Sequence, residues 1–260
     1  MFKITFILII CFNSYANGVR LDRKLLEHWF SNLVNCSSLD LENKNITSIE
    51  PYTFNGLAHL ESIFLFNNGL TLIESYTFYG LQSLTYLDVH YNKISKIEQF
   101  AFQETPSLNA INLGLNRIAT IDMDLFGNIT NLQSLYLYYN QLESINLNIN
   151  SNLKNLKTLD LHYNQIIAIE SSSFMGLDTL EDLDISLNQI VKVEKTSFGQ
   201  LGNLKNLYLH NNHLVTIDDM IFNGLNNLTS VYMSNNPISS SEPDYVKSLC
   251  KRNPDCTIYI

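Results

Sequence analysis

His90, His162 and His210 fall at matching places in the chain, and the first two are each preceded by an aspartate two residues earlier, Asp88 and Asp160. An imidazole beside a carboxylate can move protons or help to hold a metal ion. Spacing argues against a shared site: the three histidines lie three and two turns apart on a period of 24 residues. At the strand spacing this puts about 14 Å between the first pair, too far to share one zinc ion. A second column is acidic, with Glu50, Glu74, Glu98, Asp122, Glu170, Glu194 and Asp218. Calcium needs six to eight oxygens around one point, whereas a single column offers one side chain per turn. These acids are expected to accept turn and cap hydrogen bonds instead. The chain has no nucleophile-base motif, phosphate loop or metal-ligand cassette. The expectation is therefore a protein that is not an enzyme, with no metal and no cofactor.

The elements that position these residues repeat. Leu60, Leu84, Leu108, Leu132, Leu156, Leu180, Leu204 and Leu228 each open the pattern L-x-x-L-x-L-x-x-N-x-L, with aliphatic residues exchanging for one another. The x-L-x-L-x stretch alternates as a strand does, so each unit supplies one short strand to a parallel sheet. Asn68, Asn92, Asn116, Asn140, Asn164, Asn188, Asn212 and Asn236 share one offset. A buried amide there can bond the backbone of the adjacent turn. Phe54, Phe78, Phe102, Phe126, Phe174, Phe198 and Phe222 form an aromatic column, broken at Asn150, whose contribution is buried area.

This pattern resembles the leucine-rich-repeat family, in its 24-residue form common in extracellular proteins, over about residues 36 to 251. It is similar to Toll-type ectodomains and to invertebrate leucine-rich immune proteins. The resemblance implies an α/β repeat fold, a right-handed solenoid with a curved parallel β-sheet on the concave face and an irregular or short helical convex face. The expected organisation is a signal peptide at 1–16, an N-terminal cap at 17–35 that is helical, nine repeats over 36–242, and a C-terminal cap at 243–260.

On such a scaffold the outward strand positions need no large apolar groups, yet here they are aromatic. Phe64, Phe66, Tyr86, Tyr91, Tyr136, Tyr138, Tyr139, Tyr163, Tyr208 and Tyr232 all fall at offsets that face the concave side. Tyrosine there offers rigid contact area with a polar tip. Asp88, His90, Asp160, His162 and Asp184 share the face, and Asp160, Asp182 and Asp184 make an acidic sector able to pair with Lys or Arg on a partner. Ala110, Asn112 and Gly114 are small at the same offsets, which predicts a depression at Gly114 that could seat a ligand side chain.

The ends and the surroundings bear on location. Met1 to Ala16 has Lys3, an apolar run from Phe6 to Phe12 and small residues at Ser14 and Ala16, the features of a cleaved secretory signal. Its removal takes the formal charge from -9 to -10, since Lys3 is the one charged residue lost. That balance argues against nucleic acid as a partner, and no later stretch is long and apolar enough to span a membrane. Asn35, Asn45, Asn128 and Asn227 begin N-x-S/T sequons, candidate glycosylation sites. Leu21, Leu25, Trp29 and Leu33 recur every four residues, which predicts an amphipathic helical lid over 21–34. Pro243 to Lys251 is expected to form a short closing helix. Cys250 and Cys256 lie near enough to pair as a disulfide, or stay buried and unbonded. Cys36 falls in the first aliphatic column as a small core residue. With Cys11 removed the cysteine count is odd, which leaves a free thiol or a disulfide-linked partner through Cys36. The family's usual caps carry more cysteines than this chain has.

Together these features lead to the expectation of a secreted, extracellular recognition protein that binds a protein ligand on its concave face. The resemblance implies a place in innate immunity. The alternatives are an extracellular-matrix or adhesion component and an inhibitor of a secreted enzyme.

Overall fold

The computed structural model describes residues 18–145, 153–218, 220–238 and 256–260. The expected signal peptide, the break at Asn150 and the closing helix with Cys250 lie outside these residues. The strands in chain order are β1 (Val19–Leu21), β2 (Ser38–Asp40), β3 (Ile46–Ile49), β4 (Ser62–Phe64), β5 (Leu72–Ile73), β6 (Tyr86–Asp88), β7 (Lys96–Ile97) and β8 (Ala110–Asn112). They continue as β9 (Ser134–Tyr136), β10 (Thr158–Asp160), β11 (Ala168–Ile169), β12 (Asp182–Asp184), β13 (Lys192–Val193), β14 (Asn206–Tyr208), β15 (Ser230–Tyr232) and β16 (Thr257–Tyr259). One helix, α1 (Arg23–Trp29), precedes the repeats.

Ten of the strands form a single parallel sheet in the order β2-β4-β6-β8-β9-β10-β12-β14-β15-β16. Register is strict: Ile63 pairs with Leu87, Leu87 with Ile111 and Ile111 with Leu135. A slip by one residue would turn these core side chains outward, so burial holds the register. The result is a solenoid of about nine turns with little helix. On the far side the chain runs in turns, a 3-10 helix at Met123–Phe126, and the short paired strands β5-β7 and β11-β13.

Two columns lock one turn to the next. Asn92 Oδ1 accepts from Leu70 N at 3.0 Å, and its Nδ2 donates to Leu65 O and Val89 O at 3.0 Å each, bridging two turns. The same set recurs at Asn116, Asn140, Asn164, Asn188 and Asn212, all buried. Each amide thereby satisfies backbone groups that irregular chain would leave unpaired. The phenylalanines stack as a spine, with ring centroids 5.8 Å apart from Phe54 to Phe78 and from Phe78 to Phe102, and 5.7 Å from Phe102 to Phe126. Fully burying each ring contributes roughly 1.5–3 kcal/mol.

A second polar column escaped the sequence pattern. Asn131 donates to Pro106 O, Asn155 to Thr130 O, Asn203 to Asp178 O and Asn227 to Gly202 O, with Ser107 and Thr179 bonding the same way through hydroxyls. These bonds lie at the surface, where any small polar residue serves, so the column shows no single residue type.

The N-terminal segment differs from a helical lid over 21–34. Leu21 lies in β1, which pairs with β3. The helix starts only after Asp22, whose side chain accepts from Leu25 N at 2.7 Å, and ends at Phe30. Consequently Leu26, and not Leu25, is the helix residue fully buried against the first turn. Cys36 is a half-buried free thiol packed against the core, its Sγ 3.4 Å from Asn32 O.

Candidate functional site on the concave sheet

Alternation along each strand leaves three outward columns. The middle one reads Asp40, Phe64, Asp88, Asn112, Tyr136, Asp160, Asp184, Tyr208, Tyr232 and Tyr259. Neighbours within a column belong to adjacent parallel strands about 4.8 Å apart, close enough for rings to stack and for carboxylates to repel.

The expected aromatic tract resolves into three clusters. At the N-terminal end Phe64 packs on Tyr86 with centroids 5.8 Å apart, and Phe66 stacks on His90 at 4.9 Å. Asp88, only 6% exposed, accepts from the His90 backbone N at 3.0 Å and lies 2.6 Å from His90 Nδ1. Tyr86 also donates its hydroxyl to Asp88 at 3.3 Å. Burial, then the Asp88 charge, push the Tyr86 phenol up to about 12.

The central cluster repeats this design three turns later. His162 Nδ1 lies 2.7 Å from Asp160, and the Tyr138 ring stacks on the imidazole at 5.1 Å as Phe66 does on His90. Tyr139 adds an edge contact to His162 and stacks on Tyr163 at 3.7 Å. The hydrogen bond to Asp160 raises the His162 pKa, against the opposing effect of burial, and the charges of Asp160 and Asp184 reinforce the rise. The third cluster is a run of stacked tyrosines, Tyr208 on Tyr232 at 4.7 Å and Tyr232 on Tyr259 at 4.6 Å. Tyr259 was absent from the expected set because it joins the sheet on β16, outside the 24-residue step. Tyr136 sits half-buried in the middle column, and Tyr91 stands exposed at the rim.

The depression is not at Gly114. A Cβ built there would fall 2.6 Å from both Cε1 and Cε2 of Tyr138, so the missing side chain is already occupied by that ring. Glycine lets a neighbouring side chain lie directly on the backbone, here just past the end of β8. An open hollow does occur in the same turn, beside Ala110, lined by Tyr86, Asn109, Ser134's neighbour Gln133 and Thr85.

One grouping is formed only by strand register and is invisible in the spacing of the histidines. Asp160, His162 and Asp184 offer ligand atoms within 4.8 Å of one another, a set that could hold a cation. Asp160 and Asp184 are register partners on adjacent strands. Among the described residues no Lys or Arg makes an ion pair with Asp88, Asp160 or Asp184; the lysine pairs engage Glu98, Glu181 and Glu194 instead. Four members of the acidic column accept from backbone N–H groups as expected, Glu98 from Ser75 N at 3.1 Å, Glu194 from Ser171 N at 3.0 Å, Asp122 from Asp124 N and Asp218 from Met220 N at 2.9 Å each, whereas Glu50 pairs with Arg20. The bond from Ser75 N lowers the Glu98 carboxyl pKa, and at Glu194 the Ser171 hydroxyl, followed by its backbone N, does the same.

Comparisons with known proteins agree with this geometry. A structure of TLR13 in complex with ssRNA13 is similar at 27% identity and a TM-score of 0.76, over 85% of this chain and 35% of that one. A Leptospira interrogans leucine-rich-repeat protein is similar at 29% identity and a TM-score of 0.72, over 86% of this chain and 54% of that one. An internalin from Listeria monocytogenes is similar at 25% identity and a TM-score of 0.66, over 88% and 62%. The chain thus spans between about a third and three fifths of the length of these relatives. No curated protein matches the sequence. A family model described as "BspA type Leucine rich repeat region (6 copies)" matches residues 23–157, and one described as "Leucine rich repeat" matches 130–190, 154–214, 178–238 and 202–249. With the Asn ladder, the Phe spine and the ten-stranded sheet all in one register, the chain belongs to the leucine-rich-repeat family, whose members are typically non-enzymatic binding proteins.

Proposed function

We propose that this chain is a secreted recognition protein that binds a protein partner across its concave sheet. The observation that carries the reading is the composition of the outward columns: three stacked aromatic clusters separated by carboxylates that no described Lys or Arg neutralises. Aromatic anchors of this kind supply contact area at low entropy cost, and the carboxylates favour a partner with basic groups. The similar TLR13 structure holds RNA, but the charge of -9 and the acidic concave columns of this chain repel phosphate. Secretion is supported by the features of residues 1–16. Each of Asn35, Asn45, Asn128 and Asn227 is exposed, as glycosylation requires. A role in innate defence follows from the likeness to a Toll-type receptor, and it remains subordinate to the binding reading.

The test is capture from native extracellular fluid on immobilised wild-type chain and on a Tyr136→Ala/Tyr208→Ala variant. A protein retained by the first and lost from the second, with thermal stability changed little, supports the reading. Equal capture by both sinks it.

A further inference from the structure

Each turn passes through a residue of positive φ just before the ladder position, which is asparagine in every turn but the first, where it is Lys44. The nine are Asn43, Asn67, Tyr91, Leu115, Tyr139, Tyr163, Leu187, Asn211 and Asn235, all with φ between 50° and 57°. The scaffold imposes this conformation whatever the side chain, because the residue's N–H must reach a carbonyl of the next turn. Asn67 donates to His90 O at 3.2 Å, Tyr139 to His162 O at 2.9 Å and Asn211 to Ser234 O at 2.9 Å.

Asparagine suits this region and larger side chains are penalised in it. The outer turns follow that rule, and their asparagines pair: Asn67 donates to Asn43, and Asn235 to Asn211 at 2.9 Å. The five middle turns break it together, with Tyr91, Leu115, Tyr139, Tyr163 and Leu187 in a row. Burial does not explain the exception. Tyr91 is 55% exposed, Tyr163 47%, Tyr139 40% and Leu187 38%. Leu115 is half-buried, and the Tyr139–Tyr163 stack with the Tyr139 edge on His162 returns part of the cost, but one stack set against five left-handed residues leaves the row a net cost to the fold.

Tyr139 touches His162, which holds Asp160 beside its register partner Asp184, so the row adjoins an acidic pair and an occupant must pair an apolar side with a cationic one. Spacing selects its backbone. Five side chains at about 4.8 Å per step span about 19 Å. A helix repeats its face every 5.4 Å or so and falls about 2.4 Å behind over the four steps, whereas an extended strand, repeating every 6.6–6.8 Å or thereabouts, falls about 7–8 Å behind, more than a whole step. We propose that the rim from Tyr91 to Leu187 is the docking strip for a cationic amphipathic helix of a protein partner. This rests on the concave-binding reading and narrows its partner.

Two measurements test it. In the first, Tyr91→Asn/Tyr139→Asn/Tyr163→Asn is unfolded by heat beside the wild type. The expected result is a higher Tm, since the strain is relieved; a lower Tm overturns the claim by showing that the rings serve the fold. In the second, a synthetic 14-residue amphipathic helix of Leu and Lys is titrated by fluorescence anisotropy. Binding to the wild type is expected to weaken at least tenfold on the rim variant and on Asp160→Asn/Asp184→Asn, and a Glu-for-Lys peptide should not bind. Failure of the Lys peptide to bind the wild type, or its undiminished binding to the rim variant, overturns the proposal. A native partner lost on the Tyr136→Ala/Tyr208→Ala variant but kept on the rim variant would leave the concave reading standing and remove this one. A partner kept on both removes both.

Discussion

Gly114→Ala places one methyl group where the Tyr138 ring now lies. The new Cβ would stand 2.6 Å from two ring carbons, whereas carbons rest at about 3.5–4.0 Å, so the ring must move by roughly 1 Å or more. The backbone raises no objection, because Gly114 does not belong to the positive-φ set. Replacing a glycine whose φ suits other residues contributes roughly 0.5–1 kcal/mol through reduced freedom of the unfolded chain. Displacing the ring gives up its stack on His162, worth roughly 0.5–1.5 kcal/mol. The two nearly cancel, and stability measured by urea unfolding should stay within about 1 kcal/mol of wild type. The informative readout is His162, followed by NMR titration. Its pKa is already raised by the bond to Asp160, against the effect of burial. Lifting Tyr138 from its face lets water in and weakens that opposing effect, so the pKa should rise further. A His162 pKa that stays put or falls in the Ala variant would refute the placement of Tyr138 between Gly114 and His162.

Two further outcomes follow from the same contacts. Asn140→Ala strands Ile118 N in the core, while Leu113 O keeps the bond from Asn116, and should cost about 2 kcal/mol in chemical unfolding, against about 1 kcal/mol for the half-buried Asn236→Ala at the last turn. Because the folded pKa of His162 lies above its ordinary 6.5, the stability it contributes is fully present below about pH 6.5 and is lost as pH rises through the folded value. His162→Gln should flatten that part of the stability-pH curve, and an unaltered curve would show that His162 gains nothing on folding.

The sequence was most readable where a single physical requirement recurs at every turn. Asn92 and its equivalents must bond two turns at once, and Phe78 and its equivalents must fill the same gap, so each column shows one residue type. The outward direction of Tyr86, Tyr138 and Tyr208 followed from strand alternation alone. What escaped depended on neighbours in space. Gly114 reads as an empty place until the reach of Tyr138 from the next strand is known, and Asp184 joins Asp160 and His162 only through strand register. A pattern of residue types also carries no dihedral angles, so nothing distinguished Tyr163 from Tyr136 although one sits in strained backbone and the other does not. The same blindness hid Tyr52, Tyr76 and Phe100. All three have positive φ, and they stack at 5.3 and 5.8 Å on the opposite side of the turn. The helical lid was misjudged at its start, because the stripe from Leu21 to Leu33 does not reveal that Leu21 pairs with β3.

The lattice also shapes how such a surface can be inherited. Leu87-Asp88-Val89-His90-Tyr91-Asn92 and Leu159-Asp160-Leu161-His162-Tyr163-Asn164 are nearly the same word, and each sets an imidazole on a carboxylate under an aromatic ring. Since a turn bonds only to its immediate neighbours, copying or deleting a block of whole turns leaves every remaining ladder intact and shifts the groups beyond it by a fixed stride. New arrangements of the face are thus reachable by unequal recombination in a single event, without passing through an unfolded ancestor.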